Sequence, residues 1–434
     1  MQSTTQALAR RSGRPSLLSD QLVRDLVATG QVEVIVGLPT LDNAATVGRV
    51  VRAVYEAFAG PLARERTMLL NADGGSMDGT ADIVRGQAKD PSELVCTVHT
   101  LRTVHRVSTP YHGLPGRGSA LRLVFAAADL LRARAIVIVD PDATSLSASS
   151  VAALVTPVLK NGYDLVKPVM GQSPWEAPLM SQLVRPLMRA AYGKRLREPL
   201  ATQFACSGAF AVEVLAEGAW DEPFARYGLD AWLCAQAMAS RAKIAQVWTR
   251  GAVEPTHPRR PALVDVFEQV VGAVGACLEA DPNGWLSIAG SEDIPILGEP
   301  PPAPGSRPAF DLARFASTFA QATRDLAPLL GPVLGPDVLA ALAAAAESSP
   351  PSIDDALWVR AIYAALAAFH HRVLSSGQVV QAMVPIYEGR VASFFNETAT
   401  VDAATAAERL EALAREFERQ KPALVELWTS QAQR

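Results

Sequence analysis

The chain has 434 residues, 49% of them hydrophobic, so it can bury full cores and is long enough for two or three domains of about 150 residues. Its 40 basic and 44 acidic residues leave a net charge of −4, which supplies no global field for nucleic acid. No apolar stretch reaches the length of a membrane span without charge, and Met1 to Ser19, with its several Arg and Ser, lacks the apolar core of a signal peptide.

Residues 1–20 read as a polar, disordered lead. Leu17 to Thr29 carries apolar residues at helical spacing and is expected to be a short helix. Val32 to Pro39 is a first buried strand that stops at proline. Thr40-Leu-Asp-Asn-Ala-Ala-Thr46 follows with capping residues that open a helix to about Phe58. A strand, a turn and a helix N-terminus in that order present free backbone N–H groups to an anion or a base. Arg66 to Asn71 is a second strand, and Asp73-Gly-Gly-Ser76 after it allows a tight turn. A helix from Thr80 to Gln87 and a strand from Leu94 to Thr100 come next. Tyr111 to Ser119 reads as a flexible glycine-rich loop that delivers Arg117, and Ser119 to Leu131 as the helix behind it.

Ala135-Ile-Val-Ile-Val-Asp-Pro-Asp142 is the stretch around which the rest is organised. A continuous apolar run suits a strand covered on both faces, and Pro141, which has no N–H, ends the ladder there. Asp140 and Asp142 then stand at the carboxyl end of a buried strand, where open α/β sheets bind ligands. Paired oxygen ligands at that place suit Mg²⁺ or Mn²⁺ bridged to phosphate.

Ser147 to Lys160 is a further helix and Tyr163 to Pro168 a strand. Trp175 to Arg197 is mostly helical and carries Arg185, Arg189, Lys194, Arg195 and Arg197. Gln203 to Ala211 is rich in small residues, Tyr227 opens a helix to Ala239, and Ile244 to Thr249 is a strand. Arg250 to Pro261 is a loop with His257 and Arg259, and Val264 to Leu278 is helical. The proline- and glycine-rich stretch 295–309 reads as a linker. Nearly everything from 310 to 434 has helical periodicity. Four cysteines, Cys96, Cys206, Cys234 and Cys277, form no C-x-x-C pair and read as reduced thiols of a cytoplasmic protein. The expected architecture is α/β: residues 21–294 form a nucleotide-binding domain on a mainly parallel sheet, and 310–434 a helical C-terminal domain.

The ordered set Gly37-Leu-Pro-Thr-Leu-Asp-Asn43, Asp73-Gly-Gly-Ser76, Gly116-Arg-Gly-Ser-Ala120 and Asp140-Pro-Asp142 resembles the nucleotide-sugar domain of GT-A glycosyltransferases. Leu183-Val-Arg-Pro-Leu187, Ser207-Gly208, Tyr227-Gly-Leu-Asp230 and Thr256-His-Pro-Arg-Arg-Pro261 narrow this. Together the eight resemble glucosyl-3-phosphoglycerate synthases and mannosylglycerate-type synthases over roughly Val32 to Leu278.

The resemblance implies a retaining, metal-dependent hexosyltransfer from a UDP-glucose or GDP-mannose type donor to a small glycerate-like acceptor, with Mg²⁺ or Mn²⁺ as cofactor. It implies Leu38, Pro39, Thr40, Asn43, Asp73, Ser76, Arg117 and Asp140 around the nucleotide sugar, and Asp140, Asp142 and His257 around the metal. It puts Arg117 at the diphosphate and Asp230 near sugar and acceptor as the catalytic pair. Ser181, Ser207, Gly208 and Arg259 fall on the acceptor side. The glycine-rich acceptor loop of the family, with its Arg and Thr, is Glu176-Ala-Pro-Leu-Met-Ser181 here, where only Ser181 stands in for the Thr. Gly208-Ala209 replaces the family's Gly-Glu. Two rival readings remain on sequence: a non-catalytic nucleotide-sugar-binding or assembly protein, and a sugar-phosphate nucleotidyltransferase. The second lacks its long glycine-rich signature near the first strand. The helical C-terminal region also offers a surface for a homodimer, which the sequence leaves open.

Overall fold

The computed structural model describes residues 18–87, 94–98, 117–171, 173–217, 220, 228–249, 263–301 and 307–430. Most of the polar lead, the first part of the glycine-rich loop up to Gly116, Tyr227, and the Arg250–Pro261 loop with His257 and Arg259 lie outside the described residues.

After helix α1 (Asp20–Thr29), strands and helices alternate: β1 (Val34–Thr40), α2 (Val47–Ala59), β2 (Thr67–Asp73), α3 (Thr80–Gln87), β3 (Leu94–Val98), α4 (Arg117–Leu131), β4 (Ala135–Ile138), α5 (Ala148–Asn161) and β5 (Leu165–Val169). A π-helical turn, Met180–Val184, runs into α6 (Arg185–Tyr192) and the two-residue β6 (Lys194–Arg195). Then come β7 (Phe204–Ser207), α7 (Gly208–Ala216), α8 (Leu229–Ala239) and β8 (Ile244–Trp248). The chain continues through α9 (Leu263–Ala280), α10 (Asn283–Leu286), β9 (Glu292–Asp293) and β10 (Ile296–Leu297). Six helices finish it: α11 (Leu312–Asp325), α12 (Ala327–Leu334), α13 (Pro336–Glu347), α14 (Asp355–His370), α15 (Ser376–Glu397) and α16 (Ala403–Thr429).

Eight strands form one sheet in the order β10-β8-β5-β7-β4-β1-β2-β3. All neighbours are parallel except around β7, which runs antiparallel to both β4 and β5. The mainly parallel α/β sheet expected from the alternating pattern is therefore present, with one inverted strand that the pattern does not reveal. Residues 204–207, Phe-Ala-Cys-Ser, carry no marker of direction: a short apolar strand buried on both faces reads the same either way.

Two apolar layers cover the sheet. Val34, Val36, Leu69, Val137 and Val166 pack under α2 and α5 on one face. Ile35, Leu70, Ile136, Ile138 and Phe204 pack under α4, α7 and α8 on the other. This second core continues without a break into α14, α15 and α16 through Trp358, Tyr387 and Phe417. The strands read as unbroken aliphatic runs because both faces are dry.

The helical region is pinned to the sheet-bearing part by buried polar contacts. Trp358 Nε1 donates to the Gln182 carbonyl at 2.8 Å and Trp175 Nε1 to Thr398 Oγ1 at 2.9 Å. The Arg390 side chain, buried, donates to Gln182 Oε1, to the Ile353 carbonyl and to Asp355. Arg189 forks onto Glu411 and Glu418 of α16.

In chain order the strands leave β1 in two directions, β2 and β3 to one side and β4 onward to the other. The topological switch lies between the carboxyl ends of β1 and β4, the place at which open α/β sheets bind their ligands. Three of the cysteines are buried and all four are free thiols. Among the described residues no helix is long and apolar enough to cross a membrane.

Candidate functional site

β1 ends in Leu38-Pro-Thr40, all buried. Leu38 belongs to the core beneath α2 and supports the site from below. The Thr40 hydroxyl lies 2.9 Å from both Asn71 Oδ1 and Asp73 Oδ1. Asp73 accepts from the Gly75 and Ser76 N–H groups at 2.9 and 2.8 Å and from the Ser76 hydroxyl at 2.6 Å. Burial raises the Asp73 pKa, but those hydrogen bonds outweigh it and hold the carboxyl below its usual range. With Thr40 donating as well, every acceptor position of Asp73 is filled. Asp73 and Ser76 therefore build the turn that walls the crevice, rather than offering free atoms to a nucleoside. Gly75, at φ 93°, is the residue that lets this turn close.

Asp142 stands across the switch point on the β4 side. Its Oδ1 accepts from Asn43 Nδ2 at 2.9 Å and from the Thr46 hydroxyl at 2.8 Å, both on the loop that enters α2. Asn43 is fully buried and is itself oriented by the Leu41 N–H, which donates to its Oδ1. The strand β1 side thus aims the carboxylate delivered by β4. Asp140 Oδ1 accepts the Asp142 N–H at 2.9 Å, and its Oδ2 accepts the Thr202 hydroxyl at 2.6 Å. Burial pushes the Asp140 pKa up, the neighbouring Asp142 charge adds to this, and Arg117 opposes it.

These features fit a divalent cation. The donors are two hard carboxylates at a crevice edge, hydrogen-bonded from behind, and one of them gains from a positive neighbour. Among the described residues no third His, Cys, Asp or Glu joins them. Mg²⁺ commonly takes one or two carboxylates and fills its remaining positions with water and substrate phosphate.

Arg117 differs from its expected placement. It is the first residue of α4 and its side chain is buried. Nε and Nη2 fork onto Asp230 Oδ2 and Oδ1 at 3.3 and 3.0 Å, and Nη2 also donates to the Thr202 carbonyl at 2.6 Å. Only Nη1 is buried without a partner. Asp230, in the first turn of α8, is equally buried. The pair expected to act separately on diphosphate and sugar is closed into one bidentate ion pair, with a single guanidinium nitrogen left over.

Thr202 joins the two halves of the site, donating to Asp140 and accepting from Arg117. It was not among the sequence candidates. The only trace it leaves there is a polar pair, Thr202-Gln203, directly ahead of a buried apolar run.

Ser207 and Gly208 are not at the site. Because β7 is antiparallel, Phe204 pairs with Ile138 near the crevice and Ser207 pairs with Ala135 at the opposite edge. Ser207 caps α7 by accepting the Phe210 N–H and donates to Asp164. Gly208 is glycine because a Cβ there would meet the Ala133 carbonyl oxygen at 2.1 Å. Ser181 lies in the π-helical turn, buried, with a hydroxyl that has no partner.

No family model and no curated protein matches the chain. Among solved structures it is similar to glucosyl-3-phosphoglycerate synthase from Mycobacterium tuberculosis in complex with Mn²⁺, UDP and phosphoglyceric acid. There the identity is 23% over 61% of this chain and 83% of that chain, with a TM-score of 0.41. The same enzyme with phosphoglyceric acid alone gives 23%, 61%, 85% and 0.42. A structure described as a mycobacterial protein gives 25%, 61%, 79% and 0.42.

Proposed function

We propose that the chain is a GT-A glycosyltransferase that moves a hexose, with retention, from a nucleotide sugar of the UDP-glucose or GDP-mannose type to a small glycerate-like hydroxy acid. The observation that carries this is the pair Asp140 and Asp142 at the switch point between β1 and β4, with Asn43 and Thr46 holding Asp142 from the loop between β1 and α2. Asp140 and Asp142 would hold Mg²⁺ or Mn²⁺, with His257 as a further ligand from outside the described residues. The bound cation would supply the positive charge a nucleoside diphosphate needs in order to leave.

The chain's own residues do the rest. Asn43 and Thr46 keep Asp142 in one rotamer, so little reorganisation is needed when the donor arrives. The turn built on Asp73 and Ser76, with Pro39 and Thr40, frames the space for base and ribose. Arg117 is held by Asp230 so that Nη1 is its one uncommitted donor, which suits a diphosphate oxygen. Thr202 fixes the distance between that guanidinium and Asp140. Asp230 in this reading positions Arg117.

The test is transfer or donor hydrolysis with Mn²⁺ across a set of nucleotide sugars, in the wild type and in Asp142→Ala. Activity is expected to fall at least a hundredfold in the variant, about 3 kcal/mol of transition-state stabilisation. Equal rates would remove the metal role. A second reading has one observation in its favour: with Arg117 and Asp230 closed on each other, the site binds a nucleotide sugar without turning it over. Calorimetry showing stoichiometric donor binding, with no product across an acceptor panel, would favour it.

A further inference from the structure

Helices α14, α15 and α16 enclose a cavity of about 490 Å³ that shares no residue with the Asp140–Asp142 site. Small-molecule sites run from roughly 300 to 1,000 Å³, so the space admits a ligand and not only water. Its walls are fastened from behind. Arg390, 2% exposed, donates to Gln182 Oε1 at 3.0 Å and to the Ile353 carbonyl at 2.7 Å, and it pairs with Asp355. Gln420, on α16, donates to the Ala356 carbonyl at 3.1 Å and ties that helix to the start of α14. A cavity held in this way does not have to be ordered by its ligand, which leaves more of the contact energy for binding.

The lining is mixed in sign, and most of its charges are already used. Asp355 is paired with Arg390, and Glu416 with Arg419. Asp354 caps α14 by accepting the Leu357 N–H at 2.7 Å. Two charges are left. Glu397, the last residue of α15, and Arg409, on α16, both stand at the exposed rim. Among the described residues neither has a hydrogen-bond or ion-pair partner. They line the same cavity and do not pair with each other. The protein packed around Glu397 pushes its pKa up, and Asp355 and Asp354 add to this against Arg390 and Arg409, so the carboxylate is short of positive charge. Phe394, Ala356 and Ala412 supply an apolar wall.

We propose that this cavity is a binding site for a small zwitterion, an α-amino acid with an apolar side chain. Glu397 takes its ammonium, Arg409 takes its carboxylate, and its side chain lies on Phe394. A free carboxylate accepts from an ammonium, and a free guanidinium forks onto a carboxylate. A plain anion would meet Glu397 as a like charge, and a plain cation would do the same to Arg409. A ligand with both charges a few bonds apart satisfies both. This site stands whether or not the chain transfers a sugar.

The experiment is calorimetry on the full-length protein with L-leucine, L-phenylalanine, glycine, and two one-charge relatives of leucine, 4-methylpentanoate and 3-methylbutylamine. One or both apolar amino acids are expected to bind with unit stoichiometry, and the one-charge relatives and glycine at least about tenfold more weakly. Glu397→Gln and Arg409→Met, both at the exposed rim where folding is not at risk, are each expected to weaken amino-acid binding about tenfold. Asp142→Ala should leave it at the wild-type value. Failure of both apolar amino acids to bind overturns the proposal. So does a one-charge relative that binds as tightly, or undiminished binding in either rim variant. Amino-acid binding that disappears in Asp142→Ala also overturns it, because the ligand then sits at the aspartate pair.

Discussion

Asp142 and Asp73 are both acids that follow a buried strand, yet their surroundings divide their roles. Asp73 receives hydrogen bonds on both oxygens from its own turn, so its charge is spent locally. Asp142 is gripped on one oxygen by Asn43 and Thr46 from the loop after β1. Arg117 and Asp230 carry a cost that can be tested. Removing one partner of a buried ion pair leaves the other charge uncompensated, so Arg117→Met is expected to lose about 3–5 kcal/mol in urea unfolding. A variant with both residues replaced by apolar ones should recover much of that, and a double variant no more stable than the single would show that burial of Asp230 is not the cause.

Glu198 predicts a pH dependence. Its folded pKa of about 7 lies above the 4.5 of an unperturbed Glu. The native state therefore keeps a proton that the unfolded chain releases. Stability from this group is undiminished below about pH 4.5, declines as pH rises toward 7 and is lowest above it. Glu198→Gln abolishes the slope. At pH 8 the variant should be the more stable protein by about 3 kcal/mol, and at pH 4.5 it should match the wild type. Chemical denaturation at the two pH values decides this.

At the scale of the element, the inverted strand β7 matters most. It sends Ser207 and Gly208 to the far edge. Gly208→Ala would drive a Cβ into the Ala133 carbonyl at the start of α7. Overpacking against backbone costs about 1–3 kcal/mol, so a clear drop in melting temperature is expected while donor affinity is unchanged. Altered donor affinity in the folded variant would put the turn back at the site. On sequence 203–211 is a small-residue stretch suited to a ligand, and neither β7 nor α7 is legible in it: strand pairing is set by the neighbours it meets, and Gly-Ala after Ser207 is a close helix–strand approach.

Across the molecule, helices α11–α16 share one core with the sheet face under α4 and α8. The Arg189 fork onto Glu411 and Glu418 fastens α16 to the last turn of α6, four residues before Gly193, which leads to β6. Burial raises the Glu418 pKa, but the hydrogen bonds from Arg189 and Ser291 and the charges of Arg189 and Arg195 together outweigh it and hold the carboxyl below its ordinary value. Stability from this contact is present above about pH 4.5 and is lost as pH falls beneath it. Arg189→Ala is expected to speed hydrogen exchange along α16 and to destabilise by about 2 kcal/mol. Exchange that quickens equally everywhere would argue that α16 is not a separable unit.

Hydrophobic periodicity, with the capping residues, glycines and prolines between the runs, determined most of the strands and helices up to Ile244–Thr249, the carboxyl-end position of Asp140 and Asp142, and the helical nature of residues 310–430, but not β7, α7 or the short β10 inside the expected linker 295–309. Those features depend on neighbours a few residues away, and the chain states them locally. Only the tertiary structure decided that Arg117 and Asp230, 113 positions apart, close on each other, that Thr202 bridges them to Asp140, and that Glu198 is buried with one carboxylate oxygen unpartnered. Whether a charged side chain is free or paired depends on what the fold brings within about 3 Å of it, and residue type and spacing do not encode that distance.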